Sequence, residues 1–337
     1  MSARPPLNVA LFGTGQMAGI YGAILAQRPD CRLVAAVGNT PEKTAAFARG
    51  FGIAGFAEGN YEEALRRHPE IDAIVITTPE WVRSEPIGHA VRHGANILLE
   101  KPFTANLDEA LGLERLLAGY PRVFEICHVL RSSGRFHAMQ RAVAAGDIGD
   151  VRHIYARRNS NRRRVRRVLG KTDLAFWLAP HDIDIMRWIT GDEVARVHAV
   201  SRAGLRDEDD YLIANLHFSR GVDAVLEVSW CTPPVSGAAR EAVFEAWGTK
   251  GSLELEDFDM NLRVYSDGER VKTYDTYEDF EVYGLRQGMF KTMVEHFVRR
   301  VHGGEISATP LRDAVESVRA CAMIRRSLDE GRTVVRE

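Results

Sequence analysis

The 337-residue sequence is short of cysteine, of net charge and of long apolar runs, and each shortage removes a class of protein. Its four cysteines, Cys31, Cys127, Cys231 and Cys321, form no CxxC pair and lie at least 90 positions apart. That spacing argues against a disulfide framework and a structural metal site, and for a reducing, cytoplasmic compartment; no metal is expected. No apolar stretch approaches the roughly 18 residues of a membrane span. The longest candidates, IDAIVITT and NILLE, have the length of strands. The opening MSARPPLNVALFG carries one arginine and runs into a glycine motif without a cleavage-like site, so it reads as a strand and not a signal peptide. With 44 basic and 46 acidic residues the net charge is −2, too little basic excess for a nucleic-acid or membrane-surface protein. The balance is uneven, however. The run RRNSNRRRVRRVLGK, Arg157 to Lys171, holds 8 basic residues and no acidic one, leaving −10 for the remainder. Any anion binding is therefore local.

What is present is an ordinary folded composition, 45% apolar and 27% charged, in a chain about twice the roughly 150 residues of a common domain. From Asn8 to Cys127 the β-type runs NVALF, LVAAV, IDAIVIT, NILLE and VFEIC alternate with segments of helical period. This alternation predicts an α/β doubly wound parallel sheet over residues 1–127. After the first run, Met17, Ile20, Tyr21, Ile24 and Leu25 form the apolar stripe of a helix packed on a sheet. Past residue 128 the pattern changes to helices near Arg135–Ala145 and His181–Ile189 and to strand-like runs without helices between them, including ARVHAVSRA, LIANLHF, DAVLEVSW, EAVFEAW and NLRVYS. Two helices, about Leu285–Val301 and Leu311–Leu328, close the chain. Residues 128–337 therefore read as an α+β domain with a large, open, mainly antiparallel sheet.

Three motifs carry chemistry. GTGQMAG follows the first strand and opens the first helix. There Gly13 permits a tight turn and Gly15 lets a pyrophosphate approach the backbone, beside Thr14, Gln16 and Met17 at the positive helix end. Dinucleotide binding is the reading, with Ala18 as the third small residue. The second strand ends in Gly38-Asn39-Thr40, without the carboxylate that commonly holds the ribose diol of NAD. With Asn39, Thr40 and Lys43 as donors, both NAD and NADP fit, and this criterion tilts toward NADP. Thr77, Thr78, Pro79 and Trp81 belong to a cofactor-side loop after the strand IDAIVIT. Glu100-Lys101-Pro102 stands at the carboxyl end of a parallel strand, where ligands bind, so Lys101 is a catalytic and nicotinamide-side candidate and the proline bond a cis candidate. His181 opens a helix, with Asp184 one turn on and placed to orient the imidazole. As substrate contacts we expect His128 and Arg131 at the crossing between domains, Trp177 as an apolar wall, and Arg158, with Arg162 to Arg167, as an anion clamp competing with a plain solvated loop.

The N-terminal glycine turn, the EKP tripeptide near residue 100 and HDIDIMRW near residue 180, in that order and spacing, resemble the glucose-fructose oxidoreductase, inositol dehydrogenase and MocA family. Supporting stretches are VITTPEW, GDIGDV and SLDEGRTVV, and the resemblance spans essentially the whole chain. It implies a Rossmann domain followed by an open-sheet domain used for homodimer or homotetramer assembly. It also implies hydride transfer between NAD(P) and a carbinol carbon of a sugar, polyol or sugar derivative. By motif position Lys101 would bond the reacting oxygen and His181 would be the general acid/base. Many relatives have an aspartate four residues before this histidine, where this chain has Trp177; Asp173 lies eight before it. A small sugar-like substrate, anionic only if the arginines form the clamp, is the expected partner, with no nucleic acid or membrane. Two alternatives stay open: a C=N or tetrapyrrole reductase on the same fold, and a non-catalytic dinucleotide-sensing regulator.

Overall fold

The computed structural model describes residues 5–161, 171–202, 210–232, 240–258, 262–264, 272–274, 277–303 and 306–337. Arg162 to Gly170, most of the basic run, lie outside them. The chain divides into two compact units: Met1–Thr104 with Asp108–Val129 and Glu278–Ala314, and Ala105–Leu107 with Leu130–Tyr277 and Val315–Glu337.

In the first unit strands and helices alternate as β1 (Leu7–Phe12), α1 (Gln16–Ala26), β2 (Cys31–Val37), α2 (Pro41–Phe51), β3 (Ala54–Phe56), α3 (Tyr61–Arg67), β4 (Ala73–Ile76), α4 (Ser84–His93), β5 (Asn96–Glu100), α5 (Leu107–Leu117) and β6 (Phe124–Cys127). The six strands form one parallel sheet in the order β3-β2-β1-β4-β5-β6, the arrangement of dinucleotide-binding sheets. Its central strands are buried on both faces, which is why ALF in β1 and AIVI in β4 are continuous apolar runs and not alternations.

The unit is not one continuous stretch of chain, in contrast to the single cut after Cys127 that the sequence suggests. Glu125, at the far edge strand β6, is fully buried and accepts bonds from Thr309 N (2.7 Å), Ser307 Oγ and Arg300. Phe290 meets Tyr21 of α1 edge-on at 6.0 Å. A buried carboxylate needs such partners, and here residues about 180 positions later provide them. That segment begins with a hairpin, where a helix from Leu285 was expected. Leu285–Gln287 pairs with Phe280–Val282, and the helix starts only at Met289. Gly288, with φ 101°, breaks the helical path before it.

The second unit carries α6 (Gly134–Ala145), β7 (Val151–Asn161), α7 (Leu174–Trp177), α8 (Ala179–Thr190), β8 (Val194–Arg202), β9 (Tyr211–Phe218), β10 (Asp223–Thr232), β11 (Arg240–Gly248), β12 (Ser252–Phe258) and a final short strand, Val334–Val335. These strands make a seven-stranded sheet in which only β7 and β10 run parallel. The predicted mainly antiparallel sheet is present. Of NLRVYS, Leu262–Val264 are described and pair in a separate hairpin. Period-2 alternation buries Ile154, Ala156, Arg158 and Ser160 of β7. The register Ala224↔Ile154, Leu226↔Ala156 and Val228↔Arg158 puts β10's buried side chains on the same face. Among the described residues no helix is long and apolar enough to cross a membrane, and no group of His, Cys, Asp or Glu could hold a metal ion.

Candidate active site

The first unit gathers its motifs at one sheet edge. β1, β4 and β5 are parallel neighbours, with Phe12 opposite Ile76 and Ile76 opposite Leu99, so the residues that follow them share one end of the sheet. Thr77 N donates to Phe12 O at 2.7 Å, and a Cβ on Gly13 would sit 2.3 Å from Thr77 Oγ1. Glycine is required there also by its φ of 119°. Gly15 caps α1 with no side-chain bond to the first N–H groups, and a Cβ built on it meets nothing within 4 Å. A helix start without a side-chain cap, whose Gly15 faces open space, fits a dinucleotide pyrophosphate.

Thr14 lies beside Gly38, where a Cβ would clash with Thr14 and Thr44. Gln16 and Met17 begin α1. Asn39, Thr40 and Lys43 are exposed at the end of β2. Two carboxylates reach this neighbourhood that the strand-end rule does not find: Glu42 in the first turn of α2, and Glu58, whose N–H donates to Asn39 O at 3.3 Å. On the β4 side Thr78 Oγ donates to Val82 O, which closes the loop containing the exposed Pro79 and Trp81.

Lys101-Pro102 is a cis bond and Lys101 is half-buried. Beneath it Glu100 is fully enclosed. Tyr21 donates to Glu100 Oε1 at 2.5 Å and touches the Cys127 thiol. Burial pushes the Glu100 carboxyl above its ordinary value, against the bond from Tyr21 and the nearby charges of Lys101 and Arg83. Arg83 is the least expected neighbour. It is 2% exposed, its Nη2 reaches Lys101 O at 3.4 Å, and neither its Nε nor its Nη1 has a partner among the described residues. Burial pulls its pKa down to about 10.

In the second unit His181 is half-buried in the first turn of α8, and its N–H donates to Leu178 O. Asp184, one turn on and expected to orient it, is itself held by an arginine. Both Asp184 oxygens accept from Arg131, at 2.8 Å each, and the pair is buried. Arg131, expected at the substrate, is thus bound to a carboxylate of the same unit, and its guanidinium carbon lies 5.5 Å from the Trp188 ring centre. Arg158, expected as part of an anion clamp, is 1% exposed and forks onto Asp182 with bonds of 2.7 and 2.9 Å, so its guanidinium is held by a carboxylate inside the protein. Trp177 ends α7 and meets Trp230 edge-on at 5.8 Å. Asp173 caps α7 through Phe176 N and pairs with Arg325 at 3.7 Å. His128 is buried at the end of the first unit's sheet.

Sequence reasoning missed Asp182, Glu80, Arg83, Trp230 and Ser160. Trp230 Nε1, Ser160 Oγ and Glu80 Oε1 are buried without partners among the described residues. A lone buried donor leaves no mark in the sequence. Asp182 could have been noticed as one more carboxylate on a helix whose face should be apolar.

A family model described as an oxidoreductase family with an NAD-binding Rossmann fold matches residues 7–127, and one described as the GFO/IDH/MocA C-terminal domain matches residues 136–254. The chain is 25% identical over 279 residues to 2,7-anhydro-N-acetylneuraminate hydratase of Mediterraneibacter gnavus, covering 78% of this chain and 70% of that protein. It is 24% identical over 315 residues to scyllo-inositol 2-dehydrogenase (NAD(+)) of Bacillus subtilis, covering 89% and 87%. In fold it is similar to scyllo-inositol dehydrogenase of Lactobacillus casei, solved with bound NAD(H) and scyllo-inositol, with a TM-score of 0.80, 17% identity and coverage of 98% and 99%.

Proposed function

Because the chain belongs to the glucose-fructose oxidoreductase, inositol dehydrogenase and MocA family of oxidoreductases, we propose that it moves a hydride between NAD(P) and a carbinol carbon of a sugar, cyclic polyol or sugar derivative. One observation carries the reading: the glycine turn after β1, the Thr77 loop after β4 and Lys101 after β5 stand at one end of one parallel sheet. The nicotinamide supplies the hydride acceptor or donor when bound, and the chain's own residues handle the oxygen and the proton. Lys101 donates to the reacting oxygen and favours its developing charge. His181 takes the hydroxyl proton during oxidation and returns it during reduction, since imidazole is the side chain whose ordinary titration lies nearest neutrality. Trp177 gives the ring an apolar face. Gly38-Asn39-Thr40 and Lys43 accommodate a 2′-phosphate, so NADP is accepted as well as NAD.

The names of the relatives, an anhydro sugar acid for one and an inositol for two, support a cyclic polyhydroxylated substrate. The half-exposed face of the seven-stranded sheet, with Trp247 and Val200 upon it, is the surface we assign to homo-oligomer assembly. Four cysteines outside any disulfide among the described residues suit a reducing, cytoplasmic setting.

The test is a screen of sugars, polyols, uronates and nucleotide sugars with NAD and with NADP, read by absorbance of the reduced cofactor. On the best substrate His181→Asn lowers kcat by about 10²- to 10⁴-fold. A near-wild-type rate would remove His181 from the chemistry and favour C=N reduction.

A further inference from the structure

No side-chain cap bond holds the end of α8 that carries His181. Its N-cap is Leu178, and the chain arrives there directly from the four-residue α7. An uncapped first turn tends to fray. Yet residues 182–187 are all buried, and two of them are carboxylates gripped from different elements. Asp182 takes the Arg158 fork from β7 at 2.7 and 2.9 Å. Asp184 takes the Arg131 fork, from the turn before α6, at 2.8 Å twice. All four side chains are 3% exposed or less.

Stability alone gives a poor reason for these pairs. Removing two charges from water costs several kcal/mol per ion, and a well-packed apolar pair of the same volume is often as stable or more so. What a bidentate pair supplies beyond energy is geometry, because the planar guanidinium fixes both the distance and the direction of the carboxylate. Asp182 follows His181 directly, so fixing its carboxylate on β7 fixes the backbone from which the imidazole projects. The pair at Asp184 fixes the next half-turn, so the helix start can neither slide along β7 nor turn about its axis.

We propose that the Arg158–Asp182 pair, backed by Arg131–Asp184, is a positioning device that aims His181. The four are positioning residues and touch no substrate. The proposal rests on the reading of His181 as the general acid/base. It gives Arg158, the buried arginine among the described residues of the basic run, a purpose that neither an anion clamp nor a solvated loop supplies.

The experiment compares wild type, Arg158→Met, Asp182→Leu, the double variant and Arg158→Lys. Three quantities are read: melting temperature, kcat and KM on the best substrate of the screen, and the His181 ring signal by NMR, assigned with His181→Asn. Each single apolar variant melts lower, because it leaves one buried charge without its fork partner. The double variant recovers the wild-type melting temperature, yet its kcat stays down about 10- to 100-fold, the loss a misplacement near 1 Å brings. Its KM for the cofactor is unchanged, and its His181 signal shifts and broadens. Arg158→Lys, which keeps the charge and loses the fork, shows the same kinetic defect.

A double variant, or Arg158→Lys, with wild-type kcat and an unchanged His181 signal overturns the proposal and leaves the pair a structural element. If His181→Asn itself retains full turnover, the functional reading fails instead. The NMR signal then decides the positioning claim by itself, an unchanged sharp line in the double variant and in Arg158→Lys counting against it.

Discussion

Arg83 and Arg158 are buried to the same depth, 2% and 1% exposed, one in each unit, and their surroundings differ in kind. In the first unit Arg83 has only a long bond to a carbonyl, while its nearby carboxylates act through space. In the second, Arg158 and Arg131 are each matched by a carboxylate in fork geometry. The parallel sheet gets its order from backbone pairing and apolar strands buried on both faces, so a charge at its edge has little structural work to do. The second sheet has one covered face, and α8 lies upon it with two carboxylates turned inward. There order depends on paired charge. Burial alone therefore does not say what a charged residue contributes; its partners do.

Three measurements sharpen or break this contrast. The largest effect is expected where a pair is halved. Asp184→Leu takes the carboxylate fork from the buried Arg131, and should cost about 3–5 kcal/mol in denaturant unfolding. A loss below about 1 kcal/mol would mean that Arg131 finds water or another partner, and would weaken the account of the second unit. Arg83→Met should do the reverse. With no carboxylate left unpaired within bonding distance, removing the buried cation raises stability by about 1–2 kcal/mol. A comparable loss would show that its free N–H groups are satisfied in solution.

The smallest effect is a change of slope with pH. Burial raises the folded-state value of Glu100 above its ordinary 4.5, so the folded chain holds a proton that the unfolded chain has released. Its contribution is complete below that ordinary value and is lost as pH rises through the folded one. Glu100→Gln should flatten the fall in stability across this window, leaving the remainder to Glu125, which burial raises in the same way. An unchanged slope would place Glu100 in contact with water.

Most of the first unit was legible in the sequence because its signals are local. Alternating strand and helix patterns, a glycine turn between β1 and α1, and EKP at a strand end each fix their own neighbourhood. The last also carried the cis bond. The second unit's strands were legible by period, but the partners of its charged residues were not. Helical spacing put Asp184 one turn from His181, and that much is correct. What spacing could not show is that Arg131, 53 positions away, would claim both oxygens. Arg158 looked like the start of a solvated basic run, yet period-2 alternation turns it to the covered face beside Ala156 and Ser160. Membership of Glu278–Ala314 in the first unit was hidden for a related reason, since it follows from what Glu125 and Tyr21 touch.

The sequence by itself determined the order of elements, the dinucleotide turn, the strand-end lysine and the helix that bears His181. All of these depend on backbone geometry and on patterns a few residues long. Only the tertiary structure decided which arginine faces which carboxylate, that Arg83 has none within bonding distance, and that the chain returns late to complete its first unit. The reason is physical: a charge is settled by whatever the fold brings within about 3 Å of it, and that neighbour need not be near in the chain.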